Sequence, residues 1–149
     1  VPVREGAPFA AAAEAAGVDQ IFIAPPHASE ETLAGVARHS RGYFYAVSRV
    51  GVTGAEWESS TDGLADVIAN PKRFGGVPPL LGFGISTPTH VADAVAAGAA
   101  GAISGSAVTA LIAQHCSDSP GERRTVDDID TLKAELREFV AAMKAATRR

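Results

Sequence analysis

At 149 residues, 46% of them hydrophobic and 6% aromatic, the chain holds enough apolar material for one domain but falls short of the roughly 250 residues of a usual eight-stranded βα barrel. A formal net charge of −4 without a basic cluster argues against nucleic acid as a partner. No apolar run is long enough to span a membrane, no signal-peptide pattern is present, and the single Cys116 excludes an intramolecular disulfide, so the cytoplasm is the expected compartment.

In chain order, Val1-Pro2-Val3 has the composition of the end of a strand. A helix is expected over residues 7–16, with Pro8 in its first turn, an alanine-rich interior and Gly17 as its stop. A strand over 20–24 leads through the loop Ala24-Pro25-Pro26-His27 to a helix capped by Ser29, with Glu30 and Glu31 in its first turn, running to about His39. The next strand, 43–47, alternates so that Tyr43, Tyr45 and Val47 share one face and Phe44 and Ala46 the other. After an irregular stretch over 48–61, Leu64, Ala65, Val67 and Ile68 carry a helical pattern over 62–74, ended by Gly75-Gly76-Val77-Pro78.

Two apolar runs then reach glycine corners. Leu80 to Phe83 enters Gly84-Ile85-Ser86, after which Thr87 and Pro88 form the cap and first turn of a helix that stops at Gly98. Ala102-Ile103 enters Ser104-Gly105-Ser106 and a short helix over 107–113. A polar loop over 117–124 precedes a long helix over 126–147, whose apolar stripe is Ile129, Leu132, Leu136, Phe139, Val140 and Met143.

Strands near residues 21, 43, 80 and 102, each followed by a helix, make four βα units, and such alternation requires a parallel sheet. Four units are half of an eight-stranded barrel. The expected fold is therefore α/β of the (β/α)8 TIM-barrel class, covering strands five to eight plus terminal helices, with no second domain and with Val1 to Val3 ending strand four. Two adjacent glycine corners, with a helix N-terminus behind the second, form an amide-lined pocket for a phosphate, the place where barrels of this class hold one.

Tyr45, Phe83 and Ile103 lie at the carboxyl ends of their strands, where each either faces a ligand or fills the barrel. The loop over 48–54 has glycines at Gly51 and Gly54 and carries Arg49, which suits a lid that excludes water or a plain surface loop. His27, His39, His90 and His115 have no metal-ligand spacing, and no carboxylate sits at a strand's carboxyl end as a general acid or base. The residues describe a binding site without its chemistry.

Three runs, residues 41–55 (RGYFYAVSRVGVTGA), 82–86 (GFGIS) and 98–106 (GAAGAISGS), closely resemble the tryptophan synthase alpha subunit, and the likeness extends through residues 21–26 and 139–147. Residues 116–130 depart from it, being longer and more polar. The resemblance implies a barrel that cleaves indole-3-glycerol phosphate into indole and glyceraldehyde 3-phosphate by a retro-aldol step. It also implies a beta-subunit partner that holds pyridoxal phosphate, the alpha chain itself taking no cofactor and no metal. Tyr45 and Phe83 would border the indole and glycerol portions and Ile103 the indole pocket. Gly54, Gly84, Gly105 and Ser106 would hold the phosphate, with Arg49 and Thr53 in the closing loop. Pro25-Pro26-His27 is the candidate contact with the partner.

The family's catalytic glutamate and aspartate lie on and after its second strand, outside these residues, and nothing here replaces them. The chain alone is therefore expected to bind and not to catalyse, and to expose two sheet edges. Another phosphate-binding barrel enzyme, such as indole-3-glycerol phosphate synthase, and a non-catalytic half-barrel that pairs with itself are the alternatives.

Overall fold

The computed structural model describes residues 2–47, 68, 73–117 and 125–148. Four parallel strands, β1 (Ile23–Ala24), β2 (Phe44–Val47), β3 (Pro79–Gly82) and β4 (Gly101–Ala102), pair in sequence order, with β1 and β4 at the edges. The helices with both ends among the described residues are α1 (Ala7–Ala15), α2 (Glu30–His39), α3 (Pro88–Ala96), α4 (Ser106–Gln114) and α5 (Ile129–Ala145).

Register explains which residues meet. Ile23, Tyr45, Leu80 and Gly101 form one row across the sheet, and Ala24, Ala46, Leu81 and Ala102 the next. Because successive side chains on a strand point to opposite faces, these rows face opposite sides. Ala24, Ala46 and Leu81, with Phe22 and Phe44, are buried against Leu33 and Val36 of α2 and Val91 and Ala94 of α3. On the opposite face Tyr45 and Leu80 are half-buried and Ile23 is 60% exposed. The helices thus cover one face of the sheet, and the ligand-side residues expected from the sequence lie on the other.

The helix starts follow the expected chemistry. Ser29 Oγ accepts from Thr32 N at 3.2 Å, and Thr87 Oγ1 accepts from His90 N at 3.3 Å. The buried Ser40 does a different job at the end of α2, its Oγ accepting from the edge amide of Phe22 at 3.1 Å.

Three expectations are corrected. Val3 begins a short 3-10 turn, Val3–Glu5, closed by Glu5 N to Pro2 O at 3.0 Å, and is not the end of a strand; its side chain packs on Gly35 of α2. Val126 does not start the last helix: it pairs antiparallel with Cys116, and α5 begins at Ile129, where Asp128 supplies the cap. Cys116 accordingly lies two residues beyond the end of α4, in that pairing. Of the expected stripe on α5, Leu132 and Met143 are buried, whereas Ile129 and Val140 are about half exposed, because the helix packs against α3 and α4 along a narrower line. Most of the expected helix over 62–74 lies outside the described residues, although Ile68 is helical and buried.

Candidate functional site

All four strands are parallel, so the turns after β3 and β4 leave the same end of the sheet as neighbours. A hydrogen bond from Ser104 Oγ to Ile85 O at 2.6 Å ties the two turns together, and Ile103 N donates to Leu81 O at 2.8 Å. Ile103 is half-buried one residue beyond β4.

The first turn has an unusual backbone. Phe83 and Gly84 both have a φ of 73°, the left-handed region, which glycine occupies freely and a bulky residue enters only when its surroundings hold it there. Nothing in the sequence announces this at Phe83, since phenylalanine has no preference for that conformation. The consequence is a sharp reversal that exposes Gly84 while Phe83 remains half-buried.

Tyr45 sits on β2 opposite Leu80, and its ring extends diagonally over Gly82. A Cβ at Gly82 would collide with the Tyr45 phenol, so that glycine is what lets the ring lie flat toward the carboxyl end of the strands. The role of Gly82 is absent from the site expected from sequence; the signal, a glycine two positions beyond the partner of a tyrosine, is visible only once the register is known.

The helix N-termini differ. Ser29, Thr87 and Asp128 cap α2, α3 and α5 with their own oxygens. α4 has no side-chain cap: its N-cap is Gly105, exposed and with open space where a Cβ would stand, and Ser106 is its exposed first residue. α1 also starts without a side-chain cap, but Pro8 removes one of its donors and no strand precedes it directly. The first amides of α4 therefore point, unpartnered by any cap, from beside the Gly84 turn, and backbone amides so arranged attract an anion.

Tyr45, Phe83, Gly84, Ile103, Gly105 and Ser106 are thus brought to one end of the sheet. Gly54, Arg49 and Thr53 lie outside the described residues. Among the described residues no group of histidine, cysteine or carboxylate side chains could hold a metal, and no helix is long and apolar enough to cross a membrane. Pro25 to His27 form the turn between β1 and α2, with His27 at a φ of 57°.

The chain is 64% identical over its whole length to a tryptophan synthase alpha chain of Corynebacterium efficiens, of which it covers 53%, and 50% identical over 99% of its length to one of Shewanella amazonensis, of which it covers 51%. It superposes on a tryptophan synthase of Mycobacterium tuberculosis with a TM-score of 0.74 at 27% identity, over 98% of this chain and 48% of that one. A tryptophan synthase α2β2 complex of Pyrococcus furiosus gives 0.73 at 26% identity, over 97% of this chain and 52% of that one. The chain spans about half the length of the curated relatives it matches, and its four βα units are part of a TIM barrel. The family described as "Tryptophan synthase alpha chain" matches residues 1–147, and the chain belongs to that family.

Proposed function

We propose that this chain supplies the phosphate- and indole-binding half of a tryptophan synthase alpha subunit, a lyase that cleaves indole-3-glycerol phosphate into indole and glyceraldehyde 3-phosphate in tryptophan biosynthesis. The observation that supports the reading is the contrast among helix starts: among the described residues, the helices after β1 and β3 are capped by Ser29 and Thr87, whereas α4, after β4, opens on a glycine with no side-chain cap, beside the left-handed turn at Phe83 and Gly84. The amides of Gly84, Gly105 and Ser106, with Gly54, bind the phosphate. Tyr45, Phe83 and Ile103 border the indole and glycerol portions, and Arg49 and Thr53 belong to a loop that closes over them.

The reaction breaks the bond between indole C3 and the glycerol chain. A base takes the proton of the adjacent glycerol hydroxyl, whose carbon becomes the aldehyde, and an acid delivers a proton to indole C3. Both groups belong to the amino-terminal half of the barrel, so no catalytic residue is assigned in this chain. Binding without those groups forgoes factors of about a hundredfold to ten-thousandfold for each proton transfer. The chain takes no cofactor; pyridoxal phosphate belongs to the beta subunit, with which the complete alpha chain assembles in the cytoplasm, Pro25 to His27 being the candidate contact.

Titration of the 149-residue chain with indole-3-propanol phosphate, a substrate mimic that cannot be cleaved, tests the reading by heteronuclear NMR. The expected result is saturable shifts at the amides of Gly54, Gly84, Gly105 and Ser106. A well-dispersed spectrum in which those amides stay still would reject it.

A further inference from the structure

The carboxyl-terminal end of α4 is fixed by residues that the proposed site does not use. α4 has nine residues, none of them fully buried, and the helix it packs against is α5. At about 1.5 Å per residue, it is a rod of roughly 13 Å whose first turn carries the Gly105 and Ser106 amides and joins β4 through Ser104, tied to Ile85 O.

The other end is held in two ways. His115, just past α4, places its Nε2 2.9 Å from Oε2 of Glu135 on α5; an ionised carboxylate only accepts, so the imidazole donates. The His115 side chain is 16% exposed, which strengthens the pair relative to one in open solvent. Beside it the chain doubles back as a small antiparallel bridge: Cys116 pairs with Val126, Asp127 N donates to His115 O at 3.0 Å, and Ser117 N donates to Thr125 O at 3.3 Å. α5 in turn is anchored by Met143 in the core and by its packing on α3. The line of contact runs from the core through α5 and the His115–Glu135 pair to α4.

We propose that His115 and Glu135 are positioning residues for the phosphate, fixing the axis of α4 and hence the aim of its first amides. The inference rests on the phosphate reading of Gly84, Gly105 and Ser106. It goes beyond it by giving His115, just past α4, and Glu135 of α5 a part in ligand binding, at a distance from the ligand.

The test uses inorganic sulfate, a tetrahedral dianion that keeps its charge across the neutral range, titrated into the wild-type chain, Glu135→Gln, His115→Ala, the double variant and the conservative His115→Gln, with dissociation constants read from the Gly84, Gly105 and Ser106 amides. Measurements are made far below each variant's unfolding transition, so that only folded protein is observed. Weakening of about threefold to tenfold is expected in Glu135→Gln and in His115→Ala, with no further loss in the double variant and with recovery in His115→Gln, whose amide can donate to the same carboxylate. A merely structural pair would lower the unfolding midpoint and leave the dissociation constants of the folded protein unchanged, and that outcome overturns the proposal alone. Wild-type protein with no sulfate-dependent shift at these amides overturns the proposal together with the phosphate reading beneath it.

Discussion

Two glycines of the candidate site work in opposite ways. Gly82 exists for the fold: an added methyl would run into the Tyr45 ring, so Gly82→Ala must push that ring aside. Overpacking of this kind costs about 1–3 kcal/mol, and the displaced ring would also change the face turned toward the candidate site. Gly105 has open space around it and a φ of −124°, which any residue adopts. Gly105→Ala is therefore expected to cost less than about 1 kcal/mol, the size of an N-cap preference, while placing a methyl before the α4 amides and weakening anion binding. Urea unfolding of both variants, followed by phosphate titration, separates the two roles. Equal stability losses would refute the distinction. Gly105 was legible as a candidate site residue in the sequence because it lies in a Ser-Gly-Ser corner. The part of Gly82 was not, since it depends on which residue of the neighbouring strand stands diagonally across from it.

At the scale of elements, helix starts were easier to locate than strand ends. Ser29 and Thr87 cap α2 and α3 as their residue types predict, because a short hydroxyl side chain meets its third following amide by local geometry alone. α5 departs from expectation because the apolar Val126 continues its pattern, yet the local geometry of Asp128 wins. Its carboxylate accepts from the amides of Asp130 and Thr131 at 3.1 and 3.0 Å and from Thr131 Oγ1 at 2.7 Å. The Thr131 hydroxyl, then its amide, hold the Asp128 carboxyl below its ordinary value, against a smaller opposing effect of burial. A carboxyl depressed in the folded state adds stability above its unfolded value and loses it as pH falls through the folded one. Asp128 thus supports the fold at neutral pH, and that support disappears progressively below about pH 4. Asp128→Ala should lower the urea midpoint at pH 7, and the gap from wild type should narrow at pH 3. A gap independent of pH would show that the carboxylate's charge has no part in the cap.

For the whole molecule, the four-unit parallel architecture was legible because βα alternation leaves few other topologies, whereas the exposure of the sheet's second face depends on what else covers it. The helices bury Phe22, Ala24, Phe44, Ala46 and Leu81. The opposite row leaves Ile23 60% exposed at the β1 edge, with Ile21 38% exposed beside it. In a closed barrel this row faces other strands. In the 149-residue chain it is apolar surface beside the outer edge of β1, which has no strand partner among the described residues, a combination that promotes association. Sedimentation velocity is expected to show species larger than a monomer, with Ile23→Lys shifting the distribution toward monomer by placing a charge on the edge strand. The form of the association also decides between two architectures. A discrete dimer would mean that two half-barrels complete each other, as in the self-pairing alternative, whereas a broad distribution would mean that this face fits the other half of the family's barrel and has no complementary partner in a second copy. A wild-type chain that sediments as a monomer at NMR concentrations would refute the expectation that this exposed row drives association.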